Sequence, residues 1–401
     1  MRKIATAAAL AASILTLTAC DLINDIRGFT PDSVTVTITG VPADMTPDVT
    51  VTGPAGYNRR VTETTTLDRL APGEYTITAA TIEFKDNPLD PDANTKTVTL
   101  APGGAQSVTV AYAPHREYAL GALARLNQLR AEAGVPPIEL DADNSTPNWL
   151  HARYLAENRT TGHEEDPSLP YYTPEGDMAG RGSNLTYASA YIYVEEWGSP
   201  TWPIDSFLDA PFHLFHLLSP MATRARIATY YSASRCPDTR DCGDASRHFQ
   251  VGAVQVPQNT YTYIWSDDMT VRFPADGQVI TELAHYGENP SPLASCPGYE
   301  LPAGLPIFAM HGRDNLPGVK ATRLERDGEA LEHCTITADT YTNPDPVAEN
   351  RVRNVLTAFG AIVIIPREPL EPGSAYEVTI EYATHTDTWT FRTADEDDLI
   401  R

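Results

Sequence analysis

The chain has 401 residues, long for one domain, and 42% of them are hydrophobic, enough to build real cores and too many for a disordered chain. It carries 29 basic against 53 acidic residues, a formal net charge of -24. Such a surface repels phosphate backbones, which excludes nucleic acid as a partner class, and it repels anionic membrane surfaces, so no basic patch holds the chain on one.

Arg2 and Lys3 open the chain, and Ile4 to Ala19 follow without a charge. That apolar run is shorter than the roughly 20 residues of a comfortable membrane span. It suits the central region of an export signal. Leu17-Thr18-Ala19-Cys20 closes it, and polar sequence begins at Asp21. The tetrapeptide resembles the bacterial lipobox, which implies cleavage just before Cys20 and a diacylglycerol on its thiol. Residues 1–20 are thus expected to be a lipoprotein signal peptide with the lipidated Cys20. The mature chain is expected in the cell envelope, extracytoplasmic and tethered to the membrane by lipid, with no transmembrane helix. More than one acyl chain is needed for firm anchoring.

Residues 31–113 read as a β-sandwich spacer. Val34, Val36 and Ile38 alternate with Thr35, Thr37 and Thr39; Val49 and Val51, then Tyr75, Ile77 and Ala79, and finally Val108 and Val110 repeat the theme. Period-2 alternation with Pro/Gly turns every ten residues or so indicates short antiparallel strands. Leu70-Ala71-Pro72-Gly73-Glu74-Tyr75 resembles the turn of bacterial surface Ig-like modules.

Residues 115–265 change character. His115 to Gly134 has helical spacing, with Leu120, Leu123, Leu126 and Leu129 as one stripe. Thr146-Pro147 opens a second helix that runs to Asn158, with Pro at an early position. Helical stretches surround Pro203 and Pro211, and Val251 to Val256 and Thr260 to Trp265 read as strands. Three histidine-bearing places stand out. His151 falls within the second helix, where a satisfied structural role is expected. His163 follows Gly162 in an acidic loop, and His213, with His216 one turn on, follows Pro211 at a helix start.

An ordered set of residues in this segment resembles the CAP family, shared by cysteine-rich secretory proteins, antigen 5 and pathogenesis-related 1 proteins. Asn127 and Arg130 followed by Gly134 match the first helix, and Leu140-Asp141 precedes the second. Asn158 to His163 matches the segment that ends in a cavity histidine. Ser183-Asn184-Leu185 stands at a Glu-Asn-Leu position. Trp202 to His213 and then Leu217-Leu218-Ser219-Pro220 continue the match. The resemblance implies an α-β-α sandwich with a cleft lined by His163 and His213, where relatives hold a divalent metal. Zinc suits two neutral imidazoles, though a stable site has three or four ligands. Relatives add two glutamates. Here Ser183 replaces the first, Glu196 matches the second, and Glu175 is placed to substitute in space as a cleft residue.

Residues 271–394 read as an Ig-like β domain: Val378, Ile380 and Tyr382 alternate, Ala361 to Ile365 is a continuous buried run, and Leu370 to Tyr376 echoes the earlier Pro-Gly turn. With Cys20 assigned to lipid, Cys236, Cys242, Cys296 and Cys334 remain. An even number in an exported chain suggests two disulfides, and three pairings are possible. Local pairing, Cys236–Cys242 and Cys296–Cys334, keeps each bond within one segment.

The expected class is multidomain α+β: an N-terminal β-sandwich, a central α-β-α CAP-like sandwich and a C-terminal Ig-like β-sandwich. The expected function is binding of an apolar ligand, a cell-wall component or a partner protein at the cleft of a lipid-anchored cell-surface protein. A metal-dependent, peptidase-like hydrolase with Glu196 activating water is the alternative, and a purely structural surface module is another. Enzymatic signatures are otherwise absent. No Gly-x-Ser-x-Gly elbow surrounds Ser183, and His163-Glu164-Glu165 has no second His at zinc-protease spacing.

Overall fold

The computed structural model describes residues 32–190, 198–235, 246–257, 265, 269–312 and 318–399. Cys20, Cys236, Cys242 and Glu196 lie outside them, as does most of the strand expected at Thr260 to Trp265. The chain divides into two compact units. One holds the described residues up to Phe84 together with Pro88–Ala113; the other holds Lys85–Asn87 and those from Pro114 onward.

The first unit is all β. Eight strands, β1 (Ser33–Thr39), β2 (Val49–Gly53), β3 (Tyr57–Val61), β4 (Thr65–Asp68), β5 (Gly73–Ala79), β6 (Leu89–Pro91), β7 (Thr95–Leu100) and β8 (Ala105–Pro114), form two four-stranded sheets in the orders β4-β1-β8-β6 and β3-β2-β5-β7. The alternation has its expected meaning: Val34, Val36, Val49 and Val51 are fully buried, while the threonines between them reach the surface.

The second unit begins with α1 (Arg116–Glu132), β9 (Glu139–Leu140), α2 (Thr146–Asn158), α3 (Pro174–Arg181) and β10 (Asn184–Ala190). It continues with α4 (Trp202–Asp205), α5 (Pro211–Leu217), β11 (Arg224–Arg235) and β12 (Ser246–Gln255). A four-stranded sheet in the order β10-β12-β11-β9 runs through this part. Its faces are distinct. Ala225 and Ile227 of β11 join the core that holds Leu126 and Leu129 of α1, whereas Tyr230 turns the other way and meets Trp149 of α2 edge-on at 5.2 Å.

The expected leucine stripe on α1 is only half real: Leu126 and Leu129 are buried, but Leu120 is 51% exposed. A strict spacing of three turns by about 60° per step against a 3.6-residue helix, so Leu120 ends up on the side opposite Leu129.

The remaining chain adds β13 (Val271–Phe273), β14 (Val279–Ile280), β15 (Ala284–His285), β16 (Ala303–Gly304), β17 (Ile307–Met310), β18 (Val319–Arg326), β19 (Glu329–Ala330) and β20 (His333–Ile336). Helix α6 (Pro346–Phe359) follows, then β21 (Ala361–Pro366), β22 (Ala375–Tyr382) and β23 (Thr386–Thr393). Two larger sheets result, β13-β17-β21-β20 and β14-β23-β22-β18-β19. Helix α6 is not what an Ig-like reading expects. Its signal is local: Asp345 caps the N-terminus by accepting from the Val347 N–H at 2.9 Å, Pro346 takes the first turn, and Gly360 ends the helix at φ 54°.

One core runs through the second unit. Phe215 of α5 meets Phe308 of β17 edge-on at 4.8 Å and Phe359 of α6 at 5.9 Å, and Phe212 meets Tyr341 at 5.9 Å. Residues 115–265 and 271–394 therefore share apolar interior. Helix α5 also explains why β17 and β21 are buried at every position instead of alternating: helices cover a face that an isolated sandwich would leave to water.

The expected α+β class is corrected by these elements. The protein is mostly β, 38% strand against 23% helix, with six small sheets and seven helices among the described residues. The reason is physical: the helices are few and mostly short, while strands are the main regular structure of the first unit, form the sheet between the helices and supply most of the regular structure after Val271. No described helix is long and apolar enough to cross a membrane. Cys296 is disulfide-bonded to Cys334 of β20, with Cα atoms 5.8 Å apart, as the local pairing anticipates.

Candidate functional site

Asn127 and Arg130, the residues behind the resemblance in α1, do structural work in the second unit. The Asn127 amide accepts from the Ile138 N–H and donates to the Ile138 carbonyl, both at 2.9 Å. Arg130 is fully buried with no carboxylate partner among the described residues. Its guanidinium donates instead to the carbonyls of Pro136, Leu217, Ser219 and Ala222, at 2.6–3.4 Å. Burial lowers its pKa to about 10, so it stays charged at neutral pH. One side chain thereby ties α1 to the end of α5 and the turn beyond it.

Helix α3 is held against α2 by two glycines one turn apart. A Cβ at Gly180 would stand 2.3 Å from the His151 ring, and one at Gly176 would stand 2.5 Å from Glu165 Oε1. This close approach permits a buried network. His151 is fully buried, with Nδ1 3.0 Å from Glu165 Oε1 and Nε2 3.1 Å from the Gly162 carbonyl. Both ring nitrogens are thus engaged, one by the carboxyl group and one by the carbonyl. Glu165 Oε2 accepts from the Thr173 N–H at 2.9 Å. His151 is therefore a structural clamp on the Gly162–His163 loop, and Gly162 itself takes φ 118°, a conformation suited to glycine.

His163 and His213 line one cavity of about 370 Å³, joined by Tyr187, Tyr286, Glu288 and Arg351 among others. Its walls come from distant parts of the chain: the 162–163 loop, β10, the 206–213 turn into α5, the 286–289 loop and α6. His163 Nδ1 is 2.9 Å from the Gly180 carbonyl, so Nδ1–H donates there. His213 Nδ1 is 2.6 Å from Glu288 Oε1, and its ring stacks on Phe207 at 5.4 Å. In each ring a hydrogen sits on Nδ1, and Nε2 has no protein partner among the described residues. Desolvation by burial lowers the His163 pKa, and the nearby His213, His151 and Arg351 push the same way.

Glu288 fixes the His213 ring. Its side chain is fully buried, and besides the imidazole it accepts from the His213 N–H at 3.0 Å and the Phe212 N–H at 3.3 Å, the first turn of α5. The 286–289 loop is in turn pinned at its start: His285 Nδ1–H donates to the Asp209 carbonyl at 2.7 Å, and the Tyr286 N–H donates to Asp209 Oδ2 at 2.7 Å. Glu288 and Arg351 carry no signal in the sequence that marks them. Gly287-Glu288-Asn289-Pro290 reads as an ordinary loop, and only the caps of α6 could have placed Arg351 on a helix.

The other expected cleft residues lie elsewhere. Ser183 is buried, donating to the Ala179 carbonyl at 2.8 Å and accepting from Asn148 Nδ2 at 2.9 Å, a link between α2 and the end of α3. Glu175 sits exposed in the first turn of α3, and neither residue lines the cavity. His216 points away as well, edge-on to Phe359 at 5.0 Å, its pKa lowered to about 4 by burial. Glu196 lies outside the described residues. Among the described residues no group of three His, Cys, Asp or Glu side chains is placed to hold a metal ion. The donors at the cavity stop at two imidazoles, and a resident zinc requires three or four, so the described residues do not fit one.

No family model and no curated protein matches the chain. Among solved structures, the chain is similar to an outer surface protein from Borrelia burgdorferi, at 18% identity over 35% of this chain and 94% of that one, with a TM-score of 0.21. At that score the likeness carries no argument about fold or function.

Proposed function

We propose that this chain is a lipid-anchored, extracytoplasmic surface protein that binds a polar component of the cell envelope in the His163–His213 cavity. The anchor rests on the charge, apolar run and Cys20 of the first twenty residues. Cys20→Ser is expected to abolish lipid labelling and leave the chain unprocessed; a variant that still matures and partitions into detergent would refute the anchor.

The binding reading rests on one observation: two imidazoles from distant segments, each with Nδ1 held by a backbone or carboxylate acceptor, bring Nε2 atoms without a partner among the described residues to one cavity. Pre-set tautomers of this kind lower the ordering that a ligand must impose. The lining favours a polar ligand over an apolar one, with histidine, glutamate, arginine and tyrosine at the walls. A metal-dependent hydrolase is disfavoured by the two-donor set, and the resemblance of residues 115–265 to the CAP family is retained as a proposal about ancestry.

Co-sedimentation of the full chain with insoluble cell-wall material measures the binding. We expect the bound fraction of the His163→Ala, His213→Ala double variant to fall about fivefold or more, since each lost hydrogen bond at a buried site is worth about 1 kcal/mol. Undiminished sedimentation by a variant with unchanged circular dichroism would show that the cavity is not the site.

A further inference from the structure

The cavity wall carries one guanidinium and one carboxylate in a chain that is strongly acidic overall. The chain has 53 acidic residues, yet Arg351 on α6 forms no ion pair or hydrogen bond among the described residues. The cavity's own carboxylate cannot serve it. Both Glu288 oxygens are engaged by the His213 imidazole and by the N–H groups of Phe212 and His213, and the side chain is fully buried. An unpaired guanidinium is thus presented beside two imidazoles in an otherwise acidic molecule.

The second observation concerns the mouth. Tyr187 of β10 and Tyr286 are 44% and 69% exposed, both line the cavity, and neither stacks on another ring among the described residues. Free tyrosine faces are rigid amphipathic surfaces, and they are placed here at low entropic cost to a ligand that covers them.

Building on the binding reading above, we propose that the cavity takes a carboxylated saccharide. Arg351 receives the carboxylate, because its planar fork of N–H donors matches two carboxylate oxygens. Tyr187 and Tyr286 cover the apolar faces of the sugar rings. Nε2 of His163 and of His213 accept hydrogen bonds from the hydroxyls. Arg351 is on this view the specificity-determining residue, separating acidic from neutral sugars, while the histidines serve both.

Matched sugar pairs test it on the full chain in detergent. One pair is N-acetylmuramic acid against N-acetylglucosamine, the other galacturonic acid against galactose, with binding followed by ligand-observed NMR and titration. We expect the acid of at least one pair to bind tenfold or more tightly than its neutral partner. Arg351→Ala should weaken the acid by roughly ten- to a hundredfold and leave the neutral sugar unchanged. Arg351→Lys should recover part of the loss, since the charge returns without the fork. Tyr286→Ala should weaken both members of a pair alike. A preference for the muramic acid pair points to an envelope polymer as the source, and for the galacturonic acid pair to a free acidic sugar. Equal binding of acid and neutral sugar, or an Arg351→Ala variant that keeps the preference, overturns the inference. Failure of all four sugars, with cell-wall sedimentation intact, also overturns it but leaves the binding reading standing. Loss of sedimentation in the wild-type chain removes both.

Discussion

Arg130→Met is expected to destabilise the second unit by about 3–5 kcal/mol, because each buried acceptor left without a donor costs about 1–3 kcal/mol and the carbonyls of Pro136, Leu217 and Ala222 lose theirs, while that of Ser219 keeps the Ala222 N–H. Methionine fills much of the volume, so the loss reports on the hydrogen bonds more than on a cavity. Arg130→Lys should recover little. A lysine ammonium is a point donor that cannot span carbonyls on both the loop after α1 and the turn after α5. The carbonyls of Leu217 and Ser219 lie at the end of the helix that carries His213, so ligand binding should weaken together with stability. Chemical denaturation of wild type and variant provides the measurement. A change below about 1 kcal/mol would mean that water replaces the guanidinium and that Arg130 is not the tie described here.

Glu288→Ala should have a smaller effect on stability and a larger one on the cavity. Two donors lose their acceptor, the His213 Nδ1–H and the Phe212 N–H, while the His213 N–H keeps the Ala210 carbonyl. The cavity is close enough for water to satisfy some of them, so about 1–3 kcal/mol of stability is expected to go. The imidazole, no longer oriented, should sample both tautomers, and Nε2 should cease to be a dedicated acceptor. Nitrogen NMR of the histidine side chains would show this directly. Wild type should have the proton on Nδ1 of His213, Glu288→Ala should show a mixture, and Glu288→Gln should preserve the orientation in part through its amide oxygen. An unchanged His213 tautomer in Glu288→Ala would remove Glu288 as the residue that positions it.

What could be read along the chain was local chemistry. Pro147 after Thr146 marks the start of α2, and alternating valine and threonine marks β1, because a helix turn and a pleat are each decided within a few residues. Asn127 and Arg130, one turn apart on α1, were found by resemblance, and their partners show why such a pair matters: both bind the loop that follows the helix. The leucine stripe on α1 failed at Leu120 because a spacing of three drifts around a 3.6-residue helix and does not hold one face over three steps.

The sequence by itself determined the acidic composition, the strands of residues 33–113 and the two histidines worth watching. Only the tertiary structure decided what surrounds those histidines. Glu288 is 75 residues from His213, and Arg351 reaches the same cavity from a helix that lies between two strands of another sheet. No local pattern records such a meeting, because it is set by the aromatic packing of Phe215 against Phe308 and Phe359, a free energy that depends on the whole core and not on the residues it brings together.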